Sequence, residues 1–193
     1  MNVLYLTNAD SEDKDVIPKF ITTCGDKVIS IIKRFDVNFI KKNKIEFVVL
    51  DKARFLITKD IIDFLPKKII NLHPSYLPWA RGYYPNYWSI RKKIPFGVTI
   101  HFVDEGIDSG DILVQVKSSY SENDTLRHTY YRSRELMINM FKANWEKIKM
   151  GKIRETKQNK FESNTFYKKD FDGIFAKLPN GWDTKIKDIY KVT

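Results

Sequence analysis

The 193 residues predict an α/β fold: a Rossmann-like, mostly parallel sheet with helices on both faces, a C-terminal edge hairpin and a long C-terminal helix. Three observations predict it. Four short apolar runs recur between Val3 and Leu72, separated by stretches of helical period, and continuous apolar strands between helices mark a parallel sheet covered on both sides. Two further strand-like segments flank a tight acidic loop over 98–116, and one helical pattern then holds over 124–150.

Each element has its own warrant. Val3-Leu4-Tyr5-Leu6 is a buried strand that stops at Thr7-Asn8-Ala9-Asp10, a loop of capping side chains. A helix is expected over 14–22 and a strand over 28–32. Asp36 stands where a carboxylate can accept from the free N–H groups of a short helix ending at Lys42. The third strand is 47–50, and a helix over 58–64 turns Ile61, Ile62 and Leu65 inward. The fourth strand, 68–72, runs into 73–86, whose prolines, glycine and aromatics mark an ordered loop. Asn86 is expected to cap a helix through Lys92. The strand over 98–103 turns through DEGIDSG (104–110) and returns over 112–116. The long helix carries Leu126, Tyr130, Met137, Phe141 and Ile148 on one stripe, with Gly151 ending it. Residues 152–165 are polar and read as a surface loop, and the rest folds back through Phe171, Ile174, Phe175, Leu178 and Trp182.

Composition narrows the function. Hydrophobic residues make up 42%, enough for a core, while 8 Gly and 7 Pro are too few for a fibrous or disordered chain. One cysteine, Cys24, excludes an intrachain disulfide framework and a Cys-based zinc finger, and three histidines leave little for a His-rich metal site. No segment approaches the ~18 apolar residues of a membrane span, and the first six residues are too short and uncharged for a signal peptide. A cytoplasmic protein with no membrane partner is the expectation. The net charge is +10, and 17 basic face 10 acidic residues after position 116. Those lysines stand singly among acids and aromatics, which favours a solvated surface or the rim of a phosphate-binding pocket over a nucleic-acid partner.

In open α/β sheets ligands bind beyond the carboxyl ends of the strands. Asn71 and His73 stand at the end of the fourth strand, two residues apart and so on the same side, and Asp108 lies in a loop after another strand. An amide, an imidazole and a carboxylate there suit acyl transfer: donors for a developing oxyanion and acceptors for protons. Spacing alone fits equally well a turn-capping Asn71, a His73 packed under Pro74 and an Asx-turn at Asp108. His101 reads equally as a partner of these groups or as a core histidine, and His128 as exposed or packed.

The motifs themselves shift that balance. NLHPSYLP (71–78), then Arg81-Gly82, GVTIHFV (97–103) and IDSGDI (107–112), resembles the formyltransferase family. That family includes glycinamide ribonucleotide, methionyl-tRNA and nucleotide-sugar formyltransferases. They share N-x-H-P-S-x-L-P, G-x-T-x-H/M and D-x-G segments in this order. The resemblance is close over 45–116 and loose over the whole chain. It implies an N-formyltransferase that moves a formyl group from N10-formyltetrahydrofolate, a co-substrate, to an amine without a metal. Carried over, Asn71 would hydrogen-bond the formyl oxygen. His73 would stabilise or protonate the oxyanion, and Asp108 would position a water and help carry the amine proton away. The folate would lie against Arg54, Phe55 and Leu56, with the backbone of Glu105, Gly106 and Ile107 reading the pterin edge. Residues 1–150 would form the catalytic domain, with 151–193 a loop and tail packed on it.

Departures from the family patterns select the acceptor. The loop after the first strand, TNADSED (7–13), lacks the glycines of a ribose-phosphate cradle, and the chain ends about where a tRNA-holding domain would begin. WARGYYPNYW (79–88) is similar to the R-G-x-x-P-N-x-W stretch of nucleotide-sugar N-formyltransferases, and Gly181-Trp182-Asp183-Thr184 to a segment of their short members. The expected acceptor is the amino group of a nucleotide-linked amino-deoxysugar, for surface or flagellar glycans. Arg81, Tyr84, Asn86 and Trp88 are expected on the substrate side, with lysines of the C-terminal third reaching the diphosphate. A phosphoribosylglycinamide-type formyltransferase of purine synthesis and a non-catalytic folate or nucleotide-sugar binding protein are the alternatives. The tail aromatics make a homodimer plausible.

Overall fold

The computed structural model describes residues 1–159 and 162–192. Strands β1 (Asn2–Leu6), β2 (Lys27–Ile31), β3 (Phe47–Asp51) and β4 (Ile69–His73) alternate with helices α1 (Val16–Thr23), α2 (Val37–Lys42) and α3 (Lys59–Phe64). Then follow the two-residue β5 (Arg81–Gly82), α4 (Pro85–Arg91), the hairpin β6 (Gly97–Phe102) and β7 (Ile112–Lys117), and the long α5 (Leu126–Lys149). A short β8 (Thr165–Phe166) and the small helices α6 (Lys168–Phe171), α7 (Ile174–Lys177) and α8 (Ile186–Ile189) complete the described chain. The main sheet has the order β2-β1-β3-β4-β6-β7. Its first four strands are parallel, β6 runs antiparallel to β4, and β7 antiparallel to β6.

Alternation along the strands explains why both faces are covered. Val3 and Tyr5 of β1 join Ile17 and Ile21 of α1 and Met137, Phe141 and Trp145 of α5 in one cluster. Leu4 and Leu6 point the other way and join Ile40 and Ile61 of α2 and α3. Trp145 is fully buried, edge-on to Phe47 at 5.3 Å, and donates its indole N–H to Asp26. A third cluster joins Tyr87, Trp88 and Ile90 of α4 to Leu126, Phe171, Leu178, Ile186 and Ile189.

Local chemistry sets most boundaries where the patterns put them. The Asp36 carboxylate accepts from Phe39 N–H at 2.7 Å, and Thr125 caps α5 by accepting from His128 N–H at 3.1 Å. After α5, Gly151 (φ +64°) donates to Ile148 O and Lys152 N–H to Lys147 O, the paired bonds of a Schellman turn. Four details differ from expectation. Asn86 lies inside α4 and does not cap it: Pro85 opens the helix and Tyr84 precedes it at φ +50°. That frees the Asn86 amide to donate to Thr129 Oγ1 of α5 at 3.1 Å. On α3 Ile61, Ile62 and Leu65 all pack on one core cluster as expected, but only Ile61 is buried and the other two are half-buried. Phe175 is 44% exposed. Of the expected loop over 152–165, residues 160 and 161 lie outside the described residues; the rest is not a free surface loop, because Thr156 exchanges two backbone bonds with Ile112 and β8 pairs in parallel with β5.

Candidate active site

The site forms where β4 ends beside the antiparallel β6. Asn71 and His101 stand directly opposite in the ladder, so their side chains share a face, and His73 follows two residues on. An irregularity in the β6–β7 register falls between Ile100 and His101, and the hairpin loop swings Asp108 over the same edge. Asp108 takes φ +47°, a region costly for a residue with a β carbon. Gly110 is required by the same turn: a Cβ there would lie 2.0 Å from the Phe102 carbonyl oxygen.

The four side chains interlock. Asn71 Nδ2 donates to Asp108 Oδ1 at 2.9 Å and to His101 Nε2 at 3.2 Å. That assignment agrees with His101 Nδ1 donating to the Phe102 carbonyl at 2.6 Å, which leaves Nε2 as acceptor. His73 Nε2 donates to the Ala80 carbonyl at 3.1 Å and its Nδ1 faces Asp108 Oδ2 at 3.4 Å. Gly82 N–H donates to the same Oδ2 at 2.8 Å. Burial pushes His73 below the usual histidine range and outweighs the pull of Asp108, so the ring is neutral near pH 7. Burial pushes Asp108 up, but His73, His101 and Gly82 N–H more than offset it and hold the carboxyl well below the ordinary range. The resting pair is a carboxylate beside an imidazole with an open nitrogen, able to receive a proton and pass it on.

Asn71, His73 and Asp108 open into a cavity of about 650 Å³, the size of a cofactor or drug-sized ligand. Its wall runs from these residues past Tyr84 and Asn86 to Tyr130, Tyr131 and Trp182, with Lys52, Arg54, Arg127 and Arg134 supplying positive charge and the 8–13 loop negative charge. A smaller adjoining cavity of about 200 Å³ is bounded by Thr7, Ile32, Arg54 and Phe55.

The expected site residues fall into two groups. Asn71, His73, Asp108, Arg54, Tyr84 and Asn86 line the large cavity, and Phe55 the small one. Leu56 is exposed away from both, Glu105 pairs with Lys59 at 2.7 Å, and Gly106 and Ile107 lie outside the two walls. Trp88 stacks on Phe166 at 4.3 Å inside an apolar cluster, and the Arg81 guanidinium is buried against Gln158; neither reaches the cavity. Among the described residues, the cations that reach it from the C-terminal third are Arg127 and Arg134, both from α5. Sequence reading missed these two, with Lys52, Tyr130 and Tyr131. Their signal was a cation, Arg134, on the same helical face as Leu126, Met137 and Phe141, where an apolar residue was due. Among the described residues no group of three or more His, Cys, Asp or Glu is placed to hold a metal ion, and no helix is long and apolar enough to cross a membrane.

Comparison with known proteins bears on this geometry. The formyl transferase family model matches residues 34–143. A methionyl-tRNA formyltransferase of Fusobacterium nucleatum is 33% identical over 103 residues, 53% of this chain and 33% of that protein. A dTDP-4-amino-4,6-dideoxyglucose formyltransferase of Mycobacterium bovis is 29% identical over 107 residues, 55% of this chain and 45% of that protein. The matches thus span less than half of these curated relatives. Among solved structures, the formyltransferase PseJ of Anoxybacillus kamchatkensis, in complex with UDP-4,6-dideoxy-4-formamido-L-AltNAc and tetrahydrofolate, is 34% identical. It superimposes with a TM-score of 0.91 over 100% of both chains.

Proposed function

The chain belongs to the formyl transferase family, and on that premise we propose that it transfers a formyl group from N10-formyltetrahydrofolate to the amino group of a nucleotide-linked amino-deoxysugar. The observation that carries the reading is the convergence of Asn71, His73 and Asp108 on one end of a cavity whose other walls hold cations and aromatic rings. The full-length likeness to PseJ, solved with a UDP-linked 4-formamido sugar, favours a UDP-linked sugar with its amine at C4. The enzyme would act in the cytoplasm on small molecules.

The residues present fit the co-substrate: the smaller cavity, with Phe55 and Arg54, opens beside the large one and suits a flat ring system. When bound, the folate supplies an activated formyl group. Asn71 would turn one of its two engaged N–H groups to the formyl oxygen, and His73 would become a second donor there once its open Nδ1 has taken up a proton. Asp108, ionised at neutral pH, would accept the proton lost by the attacking amine, with His73 Nδ1 3.4 Å away as the next stop. At the far end, Arg127 would meet the diphosphate. Arg127 pairs with the exposed Asp183, a pairing that a phosphate can replace at little cost. Trp182 and Tyr131 would flank the base.

The test is direct. The purified protein is incubated with N10-formyltetrahydrofolate and a panel of UDP- and dTDP-linked 3-amino and 4-amino sugars, with glycinamide ribonucleotide as control, and each acceptor is followed by mass spectrometry. Gain of one formyl group on a UDP-linked 4-amino sugar is expected. Formylation of the control alone would favour purine synthesis, and failure to bind folate would remove the reading.

A further inference from the structure

Gln158 sits in a segment that reads as polar surface, yet it is only 9% exposed, and every hydrogen-bonding site on its amide is engaged. Nε2 donates to the carbonyl oxygens of Asp108 at 2.9 Å and Gly110 at 2.7 Å. Oε1 accepts from Arg81 Nε at 3.2 Å and from a terminal Arg81 nitrogen at 2.7 Å. Arg81 is itself buried, and its neighbour Gly82 donates N–H to Asp108 Oδ2 at 2.8 Å. The contacts close a ring from the Asp108 carbonyl through Gln158, Arg81 and Gly82 back to the Asp108 carboxylate.

We propose that Gln158, backed by Arg81, is a positioning residue that keeps Asp108 in its left-handed backbone conformation and so aims the carboxylate between Asn71 and His73. The inference rests on the reading of Asp108 as proton acceptor in formyl transfer. The loop has two anchors of different kinds. At its exposed end Asp104 accepts from Gly106 N–H and Ser109 Oγ. At its inner end the carbonyls of Asp108 and Gly110 converge on one nitrogen, and a primary amide offers that nitrogen two hydrogens while its oxygen takes a cation. A glutamate would turn acceptors toward two carbonyls, and a leucine would strand two carbonyls and a guanidinium in a dry space. Arg81 adds a second constraint, because its backbone pairs with Thr165 in β8 while its side chain holds Gln158. The segment carrying Gln158 is therefore tied to the catalytic edge from both the strand and the side chain.

The experiment compares Gln158→Leu, Arg81→Lys and Asp108→Asn with the parent enzyme. Steady-state formyl transfer is measured, together with hydrogen exchange at the Gly82 amide, a readout that needs no substrate. For Gln158→Leu, kcat should fall by about 10–100-fold with KM for both substrates within about twofold, since a misaimed group costs rate rather than binding. Arg81→Lys keeps the charge but not the fork, and kcat should fall by about 3–10-fold. Gly82 exchange should quicken in both. A kcat within about twofold of the parent in Gln158→Leu, while Asp108→Asn collapses, would overturn the inference and leave the reading of Asp108 standing. Retained activity in Asp108→Asn would overturn both. If the parent formylates no acceptor, the acceptor reading falls and Gly82 exchange alone decides: unchanged in Gln158→Leu, it overturns the inference, and faster, it supports it. Should Gln158→Leu fail to fold, Arg81→Lys decides by the same two readouts.

Discussion

Asp51 is a buried carboxylate and Asp108 a half-buried one at the same end of the sheet, and their surroundings are opposite. Asp51, at the end of β3, is sealed from solvent and faces a fixed cation. Arg134 donates to both its oxygens at 2.7 and 3.0 Å, and Tyr5 Oη donates at 2.6 Å. The cluster continues through Asp13, which accepts from Arg134 at 2.7 Å and from Lys52 at 2.9 Å. Burial pushes Arg134 down, but Asp51 and Asp13 more than offset it, and burial with Asp51 drives the Tyr5 hydroxyl far above its usual range. Despite burial, Asp13 is held well below the ordinary range by Arg134 and Lys52, so it, Arg134 and Tyr5 keep their charge states near neutral pH. Asp108 faces N–H dipoles and a neutral histidine instead, at a backbone angle that stores strain. A carboxylate balanced by a permanent cation holds α5 to the sheet, whereas one balanced by dipoles beside a titratable ring can exchange a proton.

Substitutions can break this comparison on either side. Arg134→Met leaves Asp51 buried without its cation and should cost about 3–5 kcal/mol of stability, read by denaturant unfolding. His73→Ala should instead lower kcat by about 10²–10³-fold, with Asn71→Ala similar and folate affinity little changed, by steady-state kinetics and folate titration. Near-parent turnover in His73→Ala would erase the distinction. Tyr5→Phe removes one hydrogen bond to a charged group and should cost about 1.5–3 kcal/mol, with kcat unchanged.

The smallest effect is in the pH dependence of stability. His73 is held below its unfolded value of about 6.5, so the unfolded chain takes up a proton first as pH falls. Stability is therefore full above about pH 6.5 and declines below it by at most about 1.4 kcal/mol per pH unit from this group, down to its lowered folded value. The Asp108 contribution is present above its unfolded value of about 3.9 and is lost as pH falls toward its depressed folded value. His73→Ala should flatten the first decline and, because His73 also helps hold Asp108 down, reduce the second, measured by thermal unfolding between pH 7 and 5 against a lower range.

Much of this was legible in the sequence, for physical reasons that differ from element to element. The parallel strands announce themselves because burial on both faces demands continuous apolar runs, and α5 because its stripe is long. Asn71 and His73 lie in one contiguous motif, and Asp108 follows a strand that a hairpin must return. His101 depended on strand register: only the antiparallel pairing of β4 with β6 sets it opposite Asn71. Gln158 had no signature at all, since a polar residue in a polar segment looks solvated until its partners are backbone carbonyls from elsewhere in the chain. Arg81 and Trp88 belong to a motif that read as substrate-facing, but a guanidinium with a buried amide partner and an indole stacked on Phe166 are taken up by the protein itself.

The central claim is that the Asp108 cluster carries out formyl transfer while the Asp51 cluster holds the fold. Asp108→Asn tests it most directly, because asparagine tolerates the left-handed backbone that the loop requires. Single-turnover formyl transfer and the unfolding midpoint would be measured on the same preparation. The account predicts a rate loss of about 10²-fold or more with folding intact. A rate near that of the parent enzyme, or a loss of rate explained entirely by unfolding, would contradict it.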